Sequence, residues 1–420
     1  MWLCCAINKY DCFIFLLIAS LSAGCMGGAL QPGRLFVIFF VPFLLKNWSL
    51  FIKYKYINRV FLFFLFWLIY GIVSLFWSLD EIQARKDIIY YPIHMCAFLE
   101  IVIFSLKSQK PVESITKGWV AAMLITFPIA FIEIFTNIHL PSTYLYHEEG
   151  QMFKVGMMVM EQKYAAVTFG NYNTYGTFLC FAFPFLLGLI IRLKSLLGQV
   201  FLYTVFFAVL YISVTNGSRG AFLSLSIMII LFLQYQKKQI QRSSKYIFLF
   251  AIFLVGYFLL NYGEDTFSQL QARLDAKSNI MEDDGRSQLI ILSLESVLDS
   301  FFFGHGIGCV EKALGKVGSI ILATHNFVLE LLMQFGLIIT ALVVFFIFNL
   351  FQWSRRRQVP KDIAFIVKAG TLPFVFMMVI NSGYLRELMT WSYFSSLFAM
   401  VLVANKSVEN KMLKNVVLYN

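Results

Sequence analysis

Apolar stretches of about 17–25 residues recur along the whole of this chain, and each is long enough to cross the roughly 30 Å hydrocarbon core of a bilayer as a helix. That feature leaves few folds. In lipid every backbone N–H and C=O must find its partner within the protein, which only helices and closed barrels achieve. The apolar runs are continuous and do not alternate, which argues against a barrel. The chain therefore reads as an all-α, polytopic membrane protein. Its composition agrees: of 420 residues 59% are hydrophobic and 14% charged, where a soluble domain carries about 25% charge.

About twelve spans are expected, near 12–30, 34–52, 58–77, 88–106, 116–135, 166–191, 197–214, 219–235, 246–261, 325–350, 363–381 and 390–405. The short loops between them alternate in charge. One set holds Lys46, Lys53, Lys55 and Arg59, then Lys107, Lys110 and Lys117, then Arg192 and Lys194, then Lys237, Lys238, Arg242 and Lys245, then Arg355, Arg356 and Arg357. Basic loops stay in the cytoplasm, so both termini are expected there. Two long loops fall on the opposite, outer side, 136–165 and 262–324, within a single integral membrane domain spanning 1–420. Loops of that length generally carry function. The second contains LIILSLESVLDSFFF, whose spacing is helical and which is expected at the membrane surface or packed on the bundle.

The net charge of +11 is spread over these short loops, which argues against a nucleic-acid partner. The seven cysteines (Cys4, Cys5, Cys12, Cys25, Cys96, Cys180 and Cys309) show no paired spacing, so neither a disulfide framework nor a metal site is expected. LSAGC at Leu21–Cys25 loosely resembles a lipoprotein cleavage site; a first membrane helix ending in small residues accounts for it better.

One charge stands alone. Between Lys194 and Lys237 the only charged residue is Arg219, in SVTNGSRGAFLSL. Asn216 and Gly217 are turn formers, which places Arg219 in the first turn of a helix at the outer boundary. There it either snorkels as an anchor or offers its bidentate fork, with a helix N-terminus behind it, to an anion such as phosphate. His325 and Asn326 lie where the long outer loop re-enters the membrane, and a neutral imidazole can take a proton from a hydroxyl; an interfacial histidine without chemistry is the plain alternative. Glu330, deeper on the same helix, needs a partner, either His325 or an arginine. Arg286 follows the acidic run EDDG, and Arg273 shares its loop. With Arg219 they would make a positive cluster suited to a diphosphate. GHGIG (Gly304–Gly308) reads as a tight turn, too short for a dinucleotide loop.

The isolated SRGA arginine at a span boundary, the long outer loop with Arg286 and GHGIG, and HN at the next span together resemble the O-antigen ligase-like superfamily of O-antigen ligases and O-antigen or capsular polysaccharide polymerases. EIFTNIHLPSTY (Glu133–Tyr144) and TFGNYNTYGTFLCFAFPFLL (Thr168–Leu187) add to the likeness, which covers roughly 120–400. FFFGHGIG lacks the proline often found before this glycine turn. The resemblance implies a cofactor-free, metal-independent, inverting glycosyltransferase of the GT-C type in a bacterial inner membrane, its active site facing the periplasm. Its substrate would be an oligosaccharide on undecaprenyl diphosphate, with membrane lipid and a chain-length regulator as partners. Carried over, Arg219 and Arg286 would bind the diphosphate, with Arg273 as a further contact and Asn326 and Glu330 beside the substrate. His325 would be the general base. A polymerase joining repeat units is favoured over a ligase that transfers the glycan to lipid A core. A lipid-linked oligosaccharide transporter is the reading from another class, against which the clustering of charge at one end speaks.

Overall fold

The computed structural model describes residues 8–144, 153–155, 158–160, 163–239, 281–319 and 322–418. Its helices are α1 (Lys9–Ala19), α2 (Pro32–Lys46), α3 (Ser49–Lys53), α4 (Lys55–Ser74), α5 (Glu81–Lys107), α6 (Pro111–Thr136), α7 (Pro141–Tyr144), α8 (Tyr172–Arg192), α9 (Leu196–Asn216) and α10 (Arg219–Gln239). Further along come α11 (Met281–Asp299), α12 (Val310–Lys316), α13 (Phe327–Ser354), α14 (Lys361–Thr371), α15 (Phe374–Met377) and α16 (Leu388–Leu418). Among the described residues the structure is helical apart from one short hairpin in the first long loop, β1 (Phe153–Val155) with β2 (Met158–Met160), in the register Phe153 to Met160.

Eight described helices are long and apolar enough to cross a membrane: α4, α5, α6, α8, α9, α10, α13 and the first part of α16. All eight were expected. Of the other four expected spans, 246–261 lies outside the described residues. The remaining three are shorter or broken helices. The 12–30 stretch contains most of α1, which passes into a 3₁₀ turn at Ser20–Ala23 that stops at Gly24, whose φ is +53°, and a second 3₁₀ turn at Gly28–Leu30. The 34–52 stretch divides between α2 and α3. The 363–381 stretch is interrupted at Pro373, which has no N–H to continue the ladder and separates α14 from α15.

Helix α8 is the axis of the bundle, with 94% of its span window buried, and α16 is nearly as enclosed at 89%. Trp119 stacks on Phe185 at 5.2 Å, and Phe181 on Tyr393 at 4.3 Å, so α6, α8 and α16 share one aromatic core. Spans α4 and α9, by contrast, leave large apolar side chains such as Leu62, Ile69, Leu197 and Val200 exposed, as a lipid-facing surface requires.

Successive helices run antiparallel, so the bundle has two unlike ends. One collects the turns with Lys107 and Lys110, with Arg192 and Lys194, and with Arg355, Arg356 and Arg357. The other collects the α9–α10 turn with Arg219, the start of α5, the start of α13 with His325, and the segment leading into α16.

Helix α13 is broken inside its span. Gly336 has φ +71° and ψ −169°, and a Cβ there would stand 2.2 Å from the Phe302 carbonyl oxygen. The GHGIG segment fills the break. The His305 N–H donates to the Met333 carbonyl (2.7 Å), the Gly308 N–H to Gln334 Oε1 (2.9 Å), and the Ile307 N–H to Ser74 Oγ (3.0 Å). Gly306 passes so near α4 that a Cβ would meet Ser74 O at 2.9 Å. The expected turn is there, and it serves as a packing wedge between α4, α5 and α13.

Candidate active site

Arg219 is the first residue of α10 and is exposed, as the turn chemistry predicts. Gly217 supplies the left-handed cap of α9, φ +66°. Asn216 does more than turn the chain: it is 2% exposed, its Oδ1 accepts the Ala165 N–H (2.8 Å), and its Nδ2 donates back to Ala165 O (3.0 Å). The next support is Glu133, at the end of α6 and 1% exposed, whose Oε2 accepts the N–H groups of Ala166 and Val167, both at 2.8 Å. A buried carboxylate is tolerable when hydrogen bonds replace its water. Here those bonds fix the end of the first long loop, which in turn fixes the Arg219 turn.

His325 immediately precedes α13. Its φ is +44°, a left-handed conformation that costs a non-glycine residue about 1–3 kcal/mol and concentrates at functional sites. Asn326 is the N-cap: its Oδ1 accepts from Val328 N (2.9 Å) and Leu329 N (3.2 Å). Substitution of such a cap by alanine costs about 1 kcal/mol.

A single segment joins these two positions. The Phe327 N–H donates to the Met378 carbonyl at 2.9 Å, while Gly220 approaches so closely that a Cβ would meet Phe376 O at 3.1 Å and Ile380 Cγ1 at 2.9 Å. Thus α15 and the residues after it lie between the start of α10 and the start of α13, with Arg219 and His325 one and two residues from these contacts. Arg286 falls within α11, with its side chain outside the described residues, and Arg273 lies outside them altogether.

Glu330 is 2% exposed and accepts the N–H groups of Tyr384 (Oε2, 2.9 Å) and Leu385 (Oε1, 3.2 Å). It thereby holds a segment that sequence reasoning passed over, residues 381–387 ahead of α16. Arg34 Nη2 donates to the Arg386 carbonyl (3.1 Å), and Trp391 Nε1 to the Leu385 carbonyl (2.9 Å). Arg34 Nε donates to His94 Nε2 (3.3 Å), which leaves the imidazole proton on Nδ1, 3.3 Å from Leu385 O. The Arg34 guanidinium also lies 4.1 Å over the Tyr90 ring. Arg386 Nε pairs with Asp87 Oδ2 at 3.0 Å and Nη1 with Glu311 Oε1 at 3.5 Å. Burial pulls the Arg386 guanidinium down, but Asp87 and its neighbours more than offset that, and the net shift is upward. Burial pushes the neighbouring Glu387 carboxyl up to about 6 against the opposing pull of Arg34. The sequence signal for this group was weak: charges beside expected spans, with Asp87 and Arg386 299 positions apart. Below the segment lies a largely apolar cavity of about 50 Å³, lined among others by Trp67, Phe98, Phe346, Leu385 and Trp391.

The fold and this polar end define a polytopic helical membrane protein with an ordered, charged site at one end of its bundle. Residues 204–346 match the O-antigen ligase family, a stretch that contains Arg219, Arg273, Arg286 and His325. The chain is also similar to the teichuronic acid biosynthesis protein TuaE of Bacillus subtilis (strain 168), at 25% identity over 293 residues. That alignment covers 67% of this chain and 58% of the relative's length. Both matches are what this chain is similar to, and both point toward the O-antigen ligase-like superfamily.

Proposed function

We propose that this protein is a glycosyltransferase of surface-polysaccharide biosynthesis, and within that class a polymerase that joins oligosaccharide repeat units carried on undecaprenyl diphosphate. The observation that supports it most is the meeting of the Arg219 turn and the His325 backbone on the α15 segment. The family match over the same residues and a relative named for teichuronic acid biosynthesis support the same reading. In this reading the basic end of the bundle is cytoplasmic, the Arg219 end faces outward, and the spans number about twelve with 246–261 included.

The chemistry is an inverting displacement. The acceptor hydroxyl oxygen bonds to the anomeric carbon from the face opposite the diphosphate, and its proton passes to the His325 imidazole. The bond from the anomeric carbon to the diphosphate oxygen breaks, and the electron pair leaves with the lipid diphosphate. Arg219 and Arg286 balance the charge that gathers there; fixed cations contribute most where charge develops in the transition state. Asn326 holds the start of α13 and so the His325 backbone. Glu330 acts through residues 384–385.

The acceptor decides between polymerase and ligase. Purified protein supplied with an undecaprenyl diphosphate-linked repeat unit should give a ladder of products from that substrate alone. Product that forms only when lipid A core is added would replace the polymerase with the ligase.

A further inference from the structure

We infer that the Phe301–Phe303 loop and the outward face of α11 are seated in the bilayer at the Arg219 end, in contact with lipid acyl chains. This goes beyond the transferase reading and does not depend on it.

The loop exposes three consecutive phenylalanines, Phe301 by 83%, Phe302 by 48% and Phe303 by 64%. It does so against its own backbone preference. Phe301 and Phe302 have φ of +49° and +62°, a left-handed conformation that is a genuine outlier for bulky side chains. In water, collapse of these rings would be favoured over strained exposure. A surrounding apolar solvent removes that conflict.

Hydrogen bonds fix the depth of the loop. The Leu337 N–H donates to the Phe302 carbonyl at 2.9 Å, and Tyr70 Oη donates to the Phe303 carbonyl at 2.5 Å. An apolar layer of about 30 Å takes up about 20 helical residues. Counted from Arg355, it ends near Phe335, beside Leu337; counted from Arg59, it reaches past the end of α4 at Ser74, so Tyr70 lies inside it. Both counts therefore place the loop within the apolar layer, near its margin by the α13 count and deeper by the α4 count. Other apolar side chains at these span ends are also exposed: Phe76 by 91%, Ile82 by 70%, Leu337 by 54% and Ile338 by 59%.

Helix α11 has three faces. At about 100° per residue, Leu289, Ser293, Ser296 and Val297 fall in one sector and are buried. Ile290, Ile291, Leu294 and Leu298 fall in the next and are exposed. Glu295 and Asp299 border that stripe on its far side and are also exposed. A helix with one face on protein, an apolar face outward and an acidic edge beyond it matches the packed, water–lipid boundary arrangement of an interfacial helix.

The test is photo-crosslinking in phosphatidylethanolamine–phosphatidylglycerol vesicles. The photoreactive residue p-benzoylphenylalanine replaces Phe301 in one protein, Phe303 in a second and the lipid-facing Phe345, 62% exposed, in a third. After irradiation the intact masses are measured. The inference expects a single-phospholipid adduct at 301 and 303 as at 345. Lipid adducts at 345 with none at 301 or 303 would overturn it, and so would a crosslink from 301 to another polypeptide.

Discussion

The carboxylate of Glu330, on α13, accepts the backbone N–H of Tyr384 at 2.9 Å, across 54 positions of sequence and in a site closed to water. With the second bond to Leu385 it makes the segment ahead of α16 part of the same rigid body as the His325 helix. Leucine at 330 would leave two buried N–H groups unsatisfied, at about 1–3 kcal/mol each. Glu330→Leu is expected to lower the thermal midpoint by several degrees, and Glu330→Gln, which keeps an acceptor, by less. Thermal unfolding in detergent with both variants checks this, and equal stability of the leucine variant and wild type would count against it.

The break in α13 has a sharper test. Alanine at Gly336 places a Cβ 2.2 Å from Phe302 O on a backbone of φ +71°. Strain alone costs about 1–3 kcal/mol, and the clash would expel the 301–308 loop. Gly336→Ala should be poorly folded, seen as loss of the monodisperse peak in size-exclusion chromatography. Gly315→Ala is the control: it lies in α12, where the nearest atom to a new Cβ is Leu322 Cδ2 at 3.7 Å, and it should behave as wild type.

Glu387 predicts a pH effect. Its folded-state carboxyl titrates at about 6 against an ordinary 4.5. A group whose pKa is raised by folding stabilises the fold fully below the ordinary value, and that stabilisation is lost as pH rises through the folded one. The thermal midpoint of wild type should therefore carry a downward component between about pH 4.5 and 6, which Glu387→Gln lacks. Parallel midpoint profiles for the two proteins across that window would refute the assignment.

Arg219 separates charge from geometry. It is exposed at a helix start, so its replacement should leave the thermal midpoint within about 0.5 kcal/mol equivalent of wild type. Turnover is another matter. Arg219→Ala is expected to lose about 10²–10³ in rate, the scale of removing one charge-stabilising group. Arg219→Lys should recover part of that, since a lysine keeps the charge without the planar fork. Full activity in the alanine variant would make Arg219 an anchor.

Much of this was legible in the sequence for identifiable reasons. The α9–α10 turn was readable because Asn216, Gly217 and a lone charge coincide between apolar runs. The eight long spans were readable because each apolar run is unbroken. The division at Pro373 was hidden by apolar residues on both sides, and that of α2 and α3 by a stretch whose hydropathy stays high while its backbone turns. The Arg34, His94 and Arg386 group was legible only as scattered charges beside expected spans. Its partners come from three distant parts of the chain, and nothing local marks Arg34 as the donor to Arg386 O. Glu330 was recognised as needing a partner, but its partners are backbone N–H groups, which carry no side-chain signature.

The most direct test of the central claim is turnover by His325→Ala, measured beside wild type on the undecaprenyl diphosphate-linked repeat unit, with products resolved by gel and mass. If His325 takes the acceptor proton, the variant should elute and melt like wild type while forming product about 10²–10⁴-fold more slowly. Product formed at the wild-type rate would contradict the assignment of His325 as the base.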